Sequence, residues 1–98
     1  MKRNIELQRA EIFRGRQHKL VFLKLKEKGQ LVSEITREVN SQIEDEKKLR
    51  LREVSRALKW LTEKNYAECL NPSNKQGVKG IVYMLSKDGK KIKNYLSP

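Results

Sequence analysis

Leu51-Arg52-Glu53-Val54-Ser55-Arg56-Ala57-Leu58-Lys59-Trp60-Leu61-Thr62-Glu63-Lys64 is the stretch whose periodicity decides the architecture. At ~100° per residue, Leu51, Val54, Leu58 and Leu61 fall within about 80° of one another and form one apolar stripe. Arg52, Arg56, Lys59 and Glu63 gather roughly 150° from the centre of that stripe, with Ser55 on its border. The spacing therefore predicts an amphipathic helix with one buried face and a cationic outer face. Asn65 follows it, and asparagine is second only to glycine as the left-handed residue that ends a helix.

Upstream, Arg16 to Lys28 carries Leu20, Leu23 and Phe22 or Val21 near helical spacing, ends on bases, and has Gly29 where a terminating glycine belongs. Ile5, Ile12 and Phe13 fit one stripe of an earlier helical segment that breaks at Gly15. Gln30-Leu31 is long enough only for a strand stub. Ser33 to Asn40 places Ile35 and Val39 four apart, as in a short second helix, and the polar run Ser41 to Lys48 reads as a connection. Downstream, Tyr66 to Asn71 and Ile81 to Ser86 have strand composition and flank the basic loop Pro72 to Gly80. Ser86 is a suitable N-cap for a last helix over Lys87 to Leu96, whose Ile92, Tyr95 and Leu96 share a side. Gly89 weakens its first turn.

The chain has 98 residues, 37% hydrophobic and 36% charged, which sets an expectation of one small domain over residues 1–98 with a modest core. Lys and Arg number 23 against 12 Asp and Glu, a formal net charge of +11, which favours a polyanionic partner. The charge is also segregated. Ser33 to Glu46 holds five acids and one base, whereas Lys47 to Lys59 holds six bases and one acid.

Cys69 is the sole cysteine and His18 the sole histidine, which excludes an intrachain disulfide and makes a zinc site improbable. No cofactor or metal is expected. Cys69 reads as a small core residue, and His18 as a partly exposed helical one. No apolar run approaches the roughly 20 residues that span a bilayer, so a cytoplasmic protein without a membrane partner is expected. Glu44-Asp45-Glu46 are adjacent, as suits a surface loop. With one histidine there is no set of nucleophile, base and orienting group, and an enzyme is not expected.

Val54-Ser55-Arg56-Ala57-Leu58-Lys59-Trp60-Leu61-Thr62-Glu63-Lys64-Asn65 resembles the recognition helix and its exit in MarR/ArsR-like winged helix-turn-helix regulators, where an apolar-Ser-Arg-x-Leu-x-x-Leu core precedes Glu-Lys-Gly-Leu-Val. Tyr83-Met84-Leu85-Ser86-Lys87-Asp88-Gly89 is similar to the family's closing strand and helix start, Tyr-x-Leu-Thr-x-x-Gly. The match spans roughly Lys19 to Lys91 in element order. It departs in two places: Asn65-Tyr66 replaces Gly-Leu, and the Ser41 to Lys48 connection exceeds the usual turn, leaving the helix start anywhere in 45–51. The resemblance implies a mostly helical α+β fold. An N-terminal segment (1–15) precedes a winged-helix core (16–86) of three helices and a two-stranded wing, and a C-terminal helix (87–98) follows.

The functional expectation is a sequence-specific regulator of double-stranded DNA, in default sense a repressor, associated with the nucleoid when bound. Arg50, Arg52 and Arg56 are the base-edge candidates, with Ser55 and Lys59 on phosphate. In the wing, Lys75, Gln76 and Lys79 would follow the backbone or enter the minor groove. Trp60, on the outer side of the wheel, would meet a partner or pack on the wing or N-terminal segment. Ile5, Ile12, Phe13, Ile92, Tyr95 and Leu96 exceed what the core needs and form the expected homodimer interface, in keeping with the family's dimerisation through terminal helices. Two recognition helices would then address half-sites ~34 Å apart. A separate ligand domain does not fit in this length, so a small-molecule effector is not expected. Two alternatives are a DNA-coating architectural or partition protein and a protein-interaction winged helix whose basic face binds an acidic partner.

Overall fold

The Asn4 side chain accepts the Glu6 amide at 2.7 Å and starts the first helix, α1 (Ile5–Arg14), which stops at Gly15 in an extended conformation. The computed structural model of the chain describes residues 4–72 and 80–96; Lys75, Gln76 and Lys79 lie outside the described residues, as does the side chain of Leu96. Helix α2 (Arg16–Lys24) follows directly. It does not run on to Lys28 as the sequence suggests. Leu25 turns extended and is fully buried, the Leu25 carbonyl accepts the Lys93 ammonium, and the Lys26 carbonyl accepts the Leu85 amide at 2.8 Å. Tertiary pairing of the 25–31 segment thus overrides the helix propensity of Lys26-Glu27-Lys28. Burial, with the charges of Lys24 and Lys26, holds the Lys93 ammonium below the usual lysine range, partly offset by Glu27 and Glu38.

Strand β1 (Gln30–Leu31) is short but paired, and leads into α3 (Val32–Asn40), where the Glu34 carboxylate accepts the Leu31 amide at 3.0 Å. Between Asn40 and Leu49 the chain makes one turn of 3-10 helix (Asp45–Lys47). Ile43 packs against the core from this connection. Helix α4 (Leu51–Glu63) starts at Leu51, with Glu53 accepting the Arg50 amide at 2.9 Å. It ends in the manner that Asn65 predicts. Asn65 has φ 70°, its amide bonds the Thr62 carbonyl at 3.0 Å, and the Tyr66 amide bonds the Leu61 carbonyl at 2.8 Å, a Schellman termination.

Strands β2 (Ala67–Cys69) and β3 (Val82–Leu85) pair antiparallel, with Ala67 opposite Leu85 and Cys69 opposite Tyr83. β1 pairs antiparallel with the other edge of β3, Gln30 opposite Tyr83 and Leu31 opposite Val82, giving the order β1-β3-β2. The sheet is therefore three-stranded, where the sequence suggested a two-stranded wing and a strand stub. Ser86 caps α5 (Lys87–Leu96): its Oγ accepts the Gly89 amide at 3.0 Å and its hydroxyl donates to the Asn65 carbonyl. The architecture is α+β and mostly helical.

One cluster of buried side chains runs from Ile12 through Phe22, Ile35, Leu58 and Tyr66 to Ile92. Helices α1 and α5 pack against each other and contribute to it. This overturns part of the expected dimer surface, because Ile12 and Ile92 are fully buried inside the chain's own core. A core this small recruits both terminal helices to bury enough apolar area. Ile5 and Phe13 are half-buried, with Arg9 and Lys19 over the Phe13 ring at 5.1 and 5.3 Å. Tyr95 is 50% exposed, and its hydroxyl donates to Glu6 at 3.1 Å.

Candidate nucleic-acid interface

Helix α4 is seated by α2, α3 and β2 together. Its buried arc, from Ala57 through Leu61, Val54 and Leu58 to Ser55, is about 160° wide at 100° per residue. That arc is broader than the stripe read from the sequence, because neighbours pack on α4 from more than one side. Ser55, on the border of that arc, is 4% exposed and lines the outer concavity, so only a small part of it faces the space a phosphate would occupy.

Arg50, Arg52, Arg56 and Lys59 remain exposed. They line an open concavity with Arg16 from α2 and with Lys47 and Lys48 from the α3–α4 connection. Two carboxylates share this lining, Glu46 and Glu53. Glu53 is committed elsewhere: one oxygen accepts the Arg50 amide and the other accepts Gln17 Nε2 at 2.7 Å. Among the described residues the salt bridges are Lys26–Glu38, Lys48–Asp45 and Lys90–Glu27. Lys48 is thus the one lining cation in an ion pair, and that exposed pair is worth little. Its hydrogen bond and charge hold the Asp45 carboxyl below the usual range.

Two fastenings fix the connection that forms one wall. The Asn40 side chain donates to the Leu49 carbonyl and accepts the Leu49 amide, both at 2.8 Å. The Arg16 guanidinium donates to the Lys47 carbonyl. Arg16 and Lys47 were not singled out from the sequence. Lys47 begins the cationic block that the charge count reveals, but the approach of Arg16 spans 31 residues and has no local signal.

No family model, curated protein or solved structure matches the chain. The resemblance to MarR/ArsR-like regulators stays on the two short motifs that carry it.

Trp60 meets Tyr66, the first residue of the strand segment read from the sequence, but its main partner lies on α2. It is half-buried and stacks on His18 of α2, with centroids 4.1 Å apart and planes 5° from parallel, while Tyr66 tilts against it at 6.3 Å. Lys64 Nζ stands 5.9 Å from the Trp60 ring. Burial lowers the His18 pKa below its ordinary value. The signal was present, since His18 precedes the buried Phe22 by four residues and shares its stripe. Cys69, half-buried, packs against the core. Among the described residues no group of three or more His, Cys, Asp or Glu could hold a metal, and no helix is long and apolar enough to cross a membrane.

Proposed function

We propose that the chain is a winged helix-turn-helix protein that binds double-stranded DNA as a transcriptional regulator, with α4 in the major groove. The observation that carries this reading is the outer face of α4: Arg50, Arg52, Arg56 and Lys59 are exposed and, among the described residues, in no salt bridge. Of the two carboxylates in the lining, Glu53 is held by the Arg50 amide and Gln17 and ion-pairs with none of these cations. Seven cations against two carboxylates in the lining leave a net positive field for a polyanion.

Dimensions support a duplex. A helix 10–12 Å across matches the ~12 Å major groove, and Arg52 and Lys59, seven residues apart, span about 10 Å along the axis, close to three base-pair steps. Arginines at outward positions favour readout over coating, since a guanidinium can bond the O6 and N7 of guanine bidentately. The helix pair α3 and α4 before β2, with the sheet order β1-β3-β2, supports the winged architecture.

Fluorescence anisotropy with labelled duplexes tests the reading. The wild type should bind at low salt, with log K falling linearly in log salt, and should select one sequence from a random pool. Arg52→Ala and Arg56→Ala should leave the fold intact and each cost ~1–3 kcal/mol at the selected site, with relaxed specificity. Uniform binding to every sequence would favour coating. Absence of binding at low salt would sink the DNA reading and leave the acidic-partner alternative.

A further inference from the structure

The lengthened α3–α4 connection is more than a spacer. Its last residues form one wall of the concavity, and Arg16, the first residue of α2, is fastened to that wall through the Lys47 carbonyl. A guanidinium has five N–H donors, so most of those on Arg16 remain after this bond, and the bond holds the group at that wall. The Lys47 side chain is exposed at the same wall. Glu46, which precedes Lys47 in the chain, also lines the concavity.

We propose that Arg16 and Lys47 together clamp one backbone phosphate of the duplex, apart from the base-facing side chains of α4. The inference rests on the DNA reading above. Its geometry follows from widths: a helix that fills a major groove ~12 Å wide leaves no room for further protein inside it, so whatever flanks the helix meets the phosphate rims. Arg16 and Lys47 flank α4 and stand on other elements. A tethered guanidinium paired with a flexible ammonium suits a phosphate, which accepts from several directions, better than a base edge, which demands coplanar donors. The clamp would set the angle at which α4 enters the groove.

The test is the salt dependence of binding to a mixed-sequence labelled duplex. Lys47→Ala keeps the backbone carbonyl that Arg16 bonds. Arg16→Gln keeps a donor for that carbonyl and loses the charge. Circular dichroism melts establish that each variant is folded. If the pair holds one phosphate, the double variant should shallow the slope of log K against log salt by ~0.9, and the two single losses should not sum to more. A double variant with the wild-type slope would overturn the clamp while the wild type's own binding keeps the DNA reading. A loss near ~1.8 would mean two separate phosphates and would overturn the shared site. A wild type that binds no duplex at low salt would take both down together.

Discussion

Replacing Gly89 by alanine sets local propensity against tertiary fit, and the two predict opposite signs. In an exposed helix interior alanine is favoured over glycine by about 1 kcal/mol, so sequence reasoning makes Gly89→Ala stabilising. In the fold, a Cβ at this position would lie 2.2 Å from the Tyr66 carbonyl oxygen and 2.8 Å from Leu85 Cδ1. Contacts under 3.0 Å are essentially never seen, so the first turn of α5 must retreat by about 0.8 Å. The oxygen it meets is backbone and cannot rotate away. Retreat also stretches the Ser86 amide bond to the Tyr66 carbonyl, 3.3 Å, and the Ser86 hydroxyl bond to Asn65. Overpacking costs about 1–3 kcal/mol and each weakened hydrogen bond up to ~1. Less the gain in propensity, these terms centre on a net destabilisation of about 2 kcal/mol, or a fall in Tm of roughly 8–16 °C for a domain of this size. Thermal melts followed by far-UV circular dichroism measure it, with Lys91→Ala, exposed on the same helix, as a control within ~0.5 kcal/mol. An unchanged or raised Tm for Gly89→Ala would show that α5 is not seated on the Tyr66 carbonyl.

Asn40→Ala removes both bonds to Leu49 and should cost about 1–3 kcal/mol in urea denaturation. Asn40→Asp should not rescue it, because a carboxylate keeps the bond to the Leu49 amide but faces the Leu49 carbonyl without a donor; full stability in either variant would refute the fastening. The His18 and Trp60 stack predicts a pH dependence. Because the folded pKa of His18 lies below the 6.5 of an unperturbed histidine, the unfolded chain binds the proton first; the stability contribution is full above pH 6.5 and is lost as pH falls through the lower folded value. Emission from Trp60, the single tryptophan, should titrate with a midpoint under 6.5 and lose that transition in His18→Gln; a midpoint at or above 6.5 would contradict the burial of His18.

Features governed by neighbours within a few residues were legible in the sequence. The Leu51, Val54, Leu58 and Leu61 stripe, the left-handed Asn65, the Ser86 cap and the break at Gly15 are all local, and each has its counterpart in the fold. What escaped the sequence arises from contacts between distant segments. Helix α2 stops at Lys24 because Leu25 enters the core and Lys26 bonds Leu85, neither of which a propensity scale registers. Ser55 is buried because α4 is packed from several sides, whereas a helical wheel assumes one. Ile12 and Ile92 read as surplus only while the two terminal helices are considered apart. In the candidate interface, the exposed arginines of α4 follow from the wheel, but the inward approach of Arg16 depends on how α2 crosses the α3–α4 connection.

That fastening of the connection has a calorimetric consequence. Disordered segments that fold onto a partner bury their own apolar surface at that moment, and the complex forms with a large negative heat-capacity change. Here the wall carrying Lys47 is already hydrogen-bonded at Asn40 and at Arg16 before any duplex arrives. The entropy of ordering it was spent in folding, and association has little of it left to pay. Isothermal titrations at several temperatures should therefore give an enthalpy that varies only weakly with temperature, because cations meeting phosphates bury little apolar area. If the proposed DNA binding holds, ionic strength, far more than temperature, is then the variable to which occupancy should respond.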